Sequence, residues 1–322
     1  MNKEEFVSAL NEWGSKRRPF FFMIDFEMKK PVAIPMEAVD ASEICFAING
    51  LTNHNSSGET QPAILDKIAI PFNEYQAKFD VVFQRLCYGD SYLANLTTKT
   101  RVTLSHSLID VYNAARARYK LYFRDEFVVF SPECFIRIEN GCIFSFPMKG
   151  TINAAIPDAG KIILEDKKEL AEHVTIVDLI RNDLSLVSNN VTVTRFRYVE
   201  ELRTMDRNLL QVSSEIRGSL PDNFNQQLGN LIVRLLPAGS ISGAPKEMTV
   251  QIIGEAEGEE RGYYTGVFGY FDGRRLDSGV MIRFIEKKDD QLYYRSGGGI
   301  TTQSSAKKEY QEIIDKVYVP VA

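Results

Sequence analysis

The sequence predicts an α+β fold in which antiparallel β-sheets are covered by helices. Strand-like segments, each β-branched or aromatic and bounded by turn residues, recur along the chain, and amphipathic helical stretches lie between them. The two kinds of segment interleave without the regular spacing of βαβ units. No linker, low-complexity tract or internal repeat divides the 322 residues. We therefore expect a single domain over residues 1–322.

Strands are predicted wherever β-branched and aromatic residues cluster. Turn pairs typical of antiparallel hairpins occur at Asn140-Gly141 and at Asp272-Gly273. The clearest predicted strands cover residues 20–24, 128–130, 142–146, 191–193 and 279–283.

Helices are predicted where apolar residues recur with helical periodicity. The clearest stretches are 73–89, 167–187, 223–235 and 305–317. In the last stretch, apolar residues at i, i+3, i+4 and i+7 predict a buried stripe. The stripe comprises Tyr310, Ile313, Ile314 and Val317. A second face of this helix carries Glu309, Glu312 and Lys316.

The composition is that of a mildly acidic globular protein. Lys and Arg number 38 against 43 Asp and Glu, which gives a formal net charge of -5. No concentrated field of basic residues is present to neutralise phosphates, so a nucleic-acid partner is not expected. The amino terminus is acidic, and no apolar run approaches the roughly 18 residues that a membrane-spanning helix needs. We expect neither export nor a membrane anchor.

The cysteines and histidines exclude several kinds of site. The four cysteines stand far apart without C-x-x-C pairs, so neither a zinc knuckle nor a disulfide framework is predicted. Reduced thiols fit a cytoplasmic protein. The three histidines share no metal spacing and no nucleophile elbow is present, so zinc-hydrolase and serine-hydrolase functions find no support.

Two pairs of glutamates stand three residues apart on predicted helices. They are Glu169 with Glu172 and Glu309 with Glu312. The spacing puts both carboxylates of a pair on one helix face. If the helices converge, up to four hard oxygen donors would meet, which suits Mg2+. The alternative is two solvated helix faces, because acidic residues are common on exposed surfaces.

A lysine follows the apolar strand that ends at residue 146. It is Lys149, in the segment Pro-Met-Lys-Gly-Thr over residues 147–151. Lysine is a nucleophile only where burial or a neighbouring cation lowers its pKa, and the apolar run before it is consistent with partial burial. The alternative is a surface lysine, which is the commoner situation.

A loop of small and hydroxyl residues covers 236–246 and ends at Lys246. It is not a P-loop, because Gly239 and Gly243 enclose three residues rather than four. Its amides and hydroxyls could hold a carboxylate, as could the consecutive amides of 296–300. The alternative for both segments is an ordinary turn. Arg283 and Tyr264 could likewise contact an anionic substrate or be structural.

Together and in this order, these segments resemble the chorismate-utilising enzymes. This family includes anthranilate synthase large subunits, aminodeoxychorismate synthase component I, and the isochorismate and salicylate synthases. The resemblance runs from about Gly89 to Lys316. Its motifs cover residues 89–97, 131–133, 147–151, 171–173, 176–183, 238–246, 261–266, 282–283, 297–299 and 309–312, with Lys316. It implies a sandwich-like core of antiparallel sheets with helices outside, and a shortened amino-terminal part over about 1–80.

The resemblance also implies residue roles. Anthranilate synthases have Ala at the position of Lys149 and aminodeoxychorismate synthases have Lys, so Lys149 would be the nucleophile that attacks C2 of chorismate. Glu133 would be the general acid for the departing C4 hydroxyl. Substrate contacts would come from Gly150, Thr151, Ser240, Tyr264, Arg283, Gly297, Gly298, Gly299 and Lys316. Mg2+ would be bound by Glu169, Glu172, Glu309 and Glu312.

The implied reaction is the formation of 4-amino-4-deoxychorismate, the precursor of 4-aminobenzoate and folate. The sequence shows no cysteine-histidine glutaminase constellation, so a separate glutamine amidotransferase would supply the ammonia. Leu93 stands where the isochorismate and salicylate enzymes have a water-activating Lys, and Gln211 stands where anthranilate synthases have His. The alternatives are anthranilate synthase component I and a non-catalytic chorismate-binding subunit.

Overall fold

The computed structural model describes residues 1–55, 64–202 and 208–320. Its helices are α1 (Lys3–Ser15), α2 (Phe72–Tyr88), α3 (Leu108–Ala114), α4 (Ala159–Glu165), α5 (Lys167–Ser185), α6 (Leu228–Arg234), α7 (Gly239–Ser242), α8 (Lys246–Glu257) and α9 (Ala306–Asp315). Its strands are β1 (Phe20–Ile24), β2 (Val32–Pro35), β3 (Ile44–Ile48), β4 (Leu51–Thr52), β5 (Ile64–Ala69), β6 (Leu93–Leu104), β7 (Tyr119–Phe123), β8 (Phe127–Ser131), β9 (Cys134–Glu139), β10 (Cys142–Ser145), β11 (Met148–Asn153), β12 (Asn189–Leu202), β13 (Leu209–Ser219), β14 (Gly243–Ala244), β15 (Val267–Phe271), β16 (Leu276–Val280), β17 (Phe284–Lys288) and β18 (Gln291–Ile300). Short 3-10 turns cover Met36–Ala38 and Phe224–Gln227.

The strands form two antiparallel sheets. The first has the order β11-β13-β10-β9-β16-β15-β1-β2, and β12 also pairs with β13. The second has the order β14-β6-β18-β17-β8-β7-β3-β4, and β5 also pairs with β6. Hairpins join β9 to β10 and β15 to β16 at the two turn pairs expected from the sequence. The predicted α+β class with antiparallel sheets is confirmed.

The two sheets pack face to face around an aromatic core. Phe21 and Met23 of β1 lie in one buried cluster with Phe46 of β3, and the Phe21 and Phe46 rings stack with centroids 5.1 Å apart. Alternate residues of the same strand, Phe20 and Phe22, face the opposite way into a cluster with α1, α5 and α6. Burial on both faces explains why β1 is a continuous apolar run rather than an alternating one.

Helices cover the outer faces of both sheets. α1, α5 and α6 lie on the first sheet, and α3 lies against β7 and β8 of the second. α2, α8 and α9 gather around β6 and β18. The sheets therefore form the sandwich-like core that the sequence implied. No helix in the described residues is long and apolar enough to cross a membrane.

The structure differs from two of the predicted segments. The strand predicted over 279–283 ends at Val280. Met281 still exchanges hydrogen bonds with residues 265–266, and the chain turns away by Arg283, which has a φ of 54°. The helix predicted over 223–235 begins with a 3-10 turn and becomes α-helical only at Leu228. There the Gly229 amide donates to Asn11 Oδ1, so a contact with α1 sets this start.

Candidate active site

Lys149 lies on β11 at the edge of the first sheet. The pairing of β11 with β13 shifts register between Lys149 and Thr151, and Gly150 at this bulge has a φ of 75°, which glycine tolerates. The side chain of Lys149 is 24% exposed, and its Nζ lies 3.4 Å from Oε2 of Glu172 on α5. Thr151, beyond the bulge, is exposed and stands opposite Gln211. The bulge thus turns Lys149 toward α5.

The glycine tract of β18, residues 297–299, lies beside the lysine. A Cβ added at Gly299 would be 3.1 Å from Lys149 Nζ and 3.0 Å from Leu93 Cδ1. Leu93 is 3% exposed and forms an apolar wall at this point. The missing side chains leave the strand backbone open to close approach by a ligand.

The first acidic pair approaches the site from α5. Glu172 contacts Lys149, and Glu169 Oε2 is 3.0 Å from the position of a Cβ at Gly150. Both carboxylates therefore lie against β11. Asp166 accepts a hydrogen bond from the Glu169 amide and caps the start of α5.

The second acidic pair comes from α9. A Cβ at Gly298 would be 3.5 Å from Glu309 Oε2 and 3.9 Å from Glu312 Oε1. Glu309 is only 4% exposed. Carboxylate oxygens are ligands that Mg2+ favours. The two pairs thus reach the site from different helices, and among the described residues no three His, Cys, Asp or Glu side chains are gathered as a metal site.

Glu133 lies between β8 and β9, and its carboxylate accepts a hydrogen bond from the Ser240 hydroxyl. Burial raises the pKa of the Glu133 carboxyl, while Ser240 and the charge of Lys149 lower it. A carboxyl whose pKa is moved toward neutral pH can serve as a general acid. Lys149 thus acts on Glu133 through its charge.

The loop over 236–246 packs against β6 and α5 and is not an open anion-binding loop. β14 within it pairs with the first residues of β6. Lys246 Nζ lies 2.8 Å from Asp183 Oδ1 on α5 and donates to the Leu235 carbonyl at 3.0 Å. Burial raises the pKa of the Asp183 carboxyl, and Lys246 opposes this shift. Lys246 is therefore a structural cation.

Lys316, just after α9, lies against the glycine tract. Its Nζ donates to the Gly297 carbonyl at 2.8 Å and pairs with Glu312 at 2.7 Å. Burial lowers the pKa of the Lys316 amine, and the charges of Arg283 and Lys149 act in the same direction. Arg283 Nη1 donates to the Lys316 carbonyl at 3.1 Å. These cations make this side of the site suitable for a substrate carboxylate.

Tyr264 lies beneath this group of cations. It is 3% exposed, and its ring meets that of Phe284 at 5.8 Å. Burial raises its pKa to about 12, so the phenol keeps its proton and remains a donor. Arg295 stacks on the ring with its guanidinium carbon 5.3 Å from the centroid.

Sequence reasoning assigned no role to two buried residues in the family motifs. His173 is 1% exposed, its Nε2 lies 2.7 Å from Ser214 Oγ, and burial lowers its pKa to about 4. Arg261 is 2% exposed and pairs with Glu257. The signal for Arg261 was its place four residues after a glutamate at a helix end, where the two side chains can meet.

Comparisons with known proteins identify the family of the chain. Residues 18–322 match the family of chorismate binding enzymes. A Pasteurella multocida protein named "uncharacterized PabA-like protein" is 51% identical over 323 residues, with 100% of each chain covered. Aminodeoxychorismate synthase component 1 of Salmonella typhimurium is 33% identical over 260 residues, which cover 76% of this chain and 56% of the relative.

A solved structure supports the same assignment. The crystal structure of anthranilate synthase component I from Streptococcus pneumoniae matches with a TM-score of 0.66 at 28% identity, over 80% of this chain and 59% of that chain. The residues that resemble the chorismate-utilising enzymes include those that line the cleft around Lys149. The chain belongs to the chorismate binding enzyme family.

Proposed function

We propose that the chain is component I of an aminodeoxychorismate synthase and converts chorismate and ammonia into 4-amino-4-deoxychorismate. The observation that carries the proposal is an amine, Lys149 Nζ, which lies beside the glycine tract and whose charge acts on the carboxyl of Glu133. A nucleophile and a general acid of this kind suit substitution at an allylic hydroxyl. The Salmonella relative, which is similar over 76% of this chain, bears the same name.

The proposed reaction has two covalent steps. The neutral Lys149 amine forms a bond to C2 of chorismate, both double bonds of the ring diene shift by one position, and the C4–oxygen bond breaks as Glu133 gives its proton to the departing hydroxyl. Water leaves. Ammonia then forms a bond to C4, both double bonds shift back, and the bond from C2 to Lys149 breaks. The proton lost by the ammonia returns to Glu133, and the enolpyruvyl group stays on the ring.

The other predicted residues bind and orient the substrate in this proposal. Lys316, Arg283 and Tyr264 supply donors for the carboxylates, and the backbone of residues 297–299 allows close approach of the ring. Gly150 and Thr151 border the ring near the bulge. Ser240 orients the Glu133 carboxyl through its hydrogen bond.

Mg2+ is the proposed cofactor, with Glu169, Glu172, Glu309 and Glu312 as its ligands. Their oxygens are of the type this ion prefers, and the bound ion would supply positive charge for the ring carboxylate. Each step above is assigned to the chain's own side chains.

A glutamine amidotransferase subunit is the proposed source of ammonia. Support comes from the Salmonella relative, whose name designates it as one component of a synthase. We also propose a cytoplasmic location. The four cysteines are free thiols, which suits a reducing compartment.

Anthranilate synthase component I is the second candidate, because a protein of that name matches with a TM-score of 0.66. Product analysis separates the two. The purified chain is incubated with chorismate, ammonium and Mg2+, and products are identified by mass spectrometry. Aminodeoxychorismate without pyruvate supports the proposal, whereas anthranilate with pyruvate favours the second candidate. Chorismate left unchanged in excess ammonium, with and without a glutaminase, favours a binding-only role.

A further inference from the structure

Ser240 donates its hydrogen bond to Glu133 from a helix of only four residues, Gly239–Ser242. One helical turn has little stability of its own, because nucleation fixes several residues for a single backbone hydrogen bond. The position of Ser240 must therefore be fixed by contacts from neighbouring elements. Two buried ion pairs supply these contacts, Arg261 with Glu257 and Lys246 with Asp183.

Arg261 anchors the residue that follows Ser240. Its side chain is 1% exposed and pairs at 2.7 Å with Glu257, which is 3% exposed. Its Nη1 donates to the Ile241 carbonyl at 2.9 Å, and its Nε donates to the second Glu257 oxygen at 2.9 Å. All three guanidinium nitrogens make hydrogen bonds inside the protein.

The same ion pair completes the edge of β6. On this edge, β14 pairs with residues 93–94 and β5 pairs with residues 100–104. Residues 95–99 pair with β18 along their other edge but have no strand partner on this edge in the described chain. There Arg261 Nη2 donates to the Asn95 carbonyl at 2.6 Å, and the Thr97 amide donates to Glu257 Oε1 at 2.8 Å. Both backbone groups belong to the part of β6 that pairs with the glycine tract.

Asp183 anchors the residue that precedes Ser240. A Cβ at Gly239 would be 2.8 Å from Asp183 Oδ2, so the backbone packs directly on this carboxylate. Lys246 holds the carboxylate in place at 2.8 Å. Ser240 is thus bounded in the chain by two residues that buried charged groups immobilise.

We propose that Arg261 is a positioning residue, which holds Ser240 in hydrogen-bonding contact with Glu133 and holds β6 against the glycine tract. The proposal rests on the role proposed above for Glu133 as the general acid. Arg261 acts through the Ile241 carbonyl and through β6. A lysine in its place keeps the charge, but its donors sit on one nitrogen and cannot reproduce the three separated guanidinium positions that bond Ile241, Asn95 and Glu257.

The expected effect on Glu133 has a definite sign. Burial raises the pKa of its carboxyl, and Ser240 from α7 and Lys149 from β11 lower it. Asp183 of α5 lines the same cavity, of about 20 Å³. Loss of the Ser240 hydrogen bond removes a lowering influence, so the pKa of Glu133 rises. Because the protonated carboxyl is the active form, the alkaline limb of the rate profile moves to higher pH.

A double-mutant cycle with Arg261→Lys, Ser240→Ala and the combined variant tests the proposal. The rate of chorismate consumption is measured against pH in the presence of ammonium and Mg2+. We expect Arg261→Lys to lower kcat about 10-fold with a smaller change in KM and to move the alkaline limb upward. In the Ser240→Ala background its effect on kcat should be clearly smaller, because only its contact with β6 then remains to be lost. Equal losses in both backgrounds, with an unmoved pH limb, would show a merely structural role and overturn the proposal.

Two further variants secure the test. Arg137→Lys is the matched control, because it makes the same change in another arginine that pairs with an acidic residue. Arg137 lies on β9 and its Nε is 3.4 Å from Asp277 on β16. We expect the alkaline limb of this variant to stay where it is in the wild-type protein. If Arg261→Lys does not fold, Glu257→Gln weakens the same link while keeping the guanidinium. We expect it to move the alkaline limb upward, and an unmoved limb would overturn the proposal.

Mass spectrometry of the products separates failure of this proposal from failure of the proposed function. A wild-type product other than aminodeoxychorismate contradicts the proposed function. In that case the rates of chorismate consumption of the variants in the double-mutant cycle are still compared, and they decide whether Arg261 acts through Ser240.

Discussion

Two acidic residues of α5 each pair with a lysine, and the two lysines are held differently. Glu172, toward the start of the helix, lies 3.4 Å from Lys149 Nζ. Asp183, near its end, lies 2.8 Å from Lys246 Nζ, which also donates to the Leu235 carbonyl at 3.0 Å. Lys149 is 24% exposed and Lys246 is 18% exposed, so burial hardly separates them.

The difference lies in the number and length of the contacts. Lys246 is bound by a close carboxylate and a carbonyl, which keep it as a fixed cation. Among the described residues, Lys149 has one longer contact to a carboxylate, and it faces the open backbone at Gly299. An amine that is loosely held beside an open surface can approach a ligand. Hydrogen-bond saturation therefore distinguishes the proposed nucleophile from the structural lysine better than burial does.

Of the substitutions that test this difference between the two lysines, Lys149→Ala is expected to have the largest effect on catalysis. Removal of the nucleophile should lower the rate of aminodeoxychorismate formation by about 1,000-fold or more, with little change in melting temperature. Steady-state kinetics and thermal unfolding measure the two effects. Lys161→Ala is the control, because this lysine is 73% exposed on α4. Amination at the wild-type rate would contradict the assignment of Lys149.

Glu133→Gln is expected to lower kcat by about 100-fold, because the amide cannot give a proton to the departing hydroxyl. The alkaline limb of the pH–rate profile should disappear with it. In the wild-type protein the rate should fall as pH rises through the raised pKa of Glu133. Rates measured from acid to alkaline pH check this, and a variant with an unaltered profile would rule out Glu133 as the acid.

Lys246→Ala should act mainly on stability. It leaves Asp183 buried without its cation, so we expect unfolding free energy to fall by about 3 kcal/mol. The pKa of Asp183 is already raised by burial and should rise further. A folded-state pKa above the unfolded value gives stability that is lost as pH rises, so the defect should be smaller at pH 5 than at pH 7. Denaturant unfolding at the two pH values tests this, and a pH-independent defect would contradict it.

Gly299→Ala should have a smaller effect on catalysis, of about 10-fold. The new methyl group would lie 3.1 Å from Lys149 Nζ and 3.0 Å from Leu93 Cδ1, so the amine must shift. Gly254→Ala is the matched control, because nothing lies within 4 Å of a Cβ there and α8 should gain stability. Kinetics for both variants provide the measurement. Equal activity of the two would mean that Lys149 does not react at this position.

The local elements could be predicted from the sequence, but the order of strands could not. β1 was evident as an apolar run, and its pairing with β15, more than 240 residues away, has no local signal. The late start of α6 depends on the contact between Gly229 and α1, which periodicity does not encode. Burial and turn chemistry are local properties, whereas sheet order and close packing are tertiary ones.

The candidate site shows the same division. Its residues were identified from motifs, yet the hydrogen bond between Ser240 and Glu133 joins positions 107 residues apart. The i, i+3 spacing predicted that the two members of each acidic pair share a helix face. In the structure both members of the first pair lie against β11, and both members of the second pair lie near Gly298 of β18. The spacing of Arg261 from Glu257 signalled only their ion pair, because the other acceptors of Arg261 are backbone carbonyls of separate elements.

The most direct test of the central claim is to trap the covalent intermediate on Lys149. The purified protein is incubated with chorismate and Mg2+ without ammonia, quenched, digested and examined by mass spectrometry. We expect the peptide that carries Lys149 to gain the mass of chorismate less one water, and the adduct to disappear when ammonium is added and aminodeoxychorismate forms. Production of aminodeoxychorismate with no such adduct, or with an adduct on another residue, would contradict the role of Lys149 as the nucleophile.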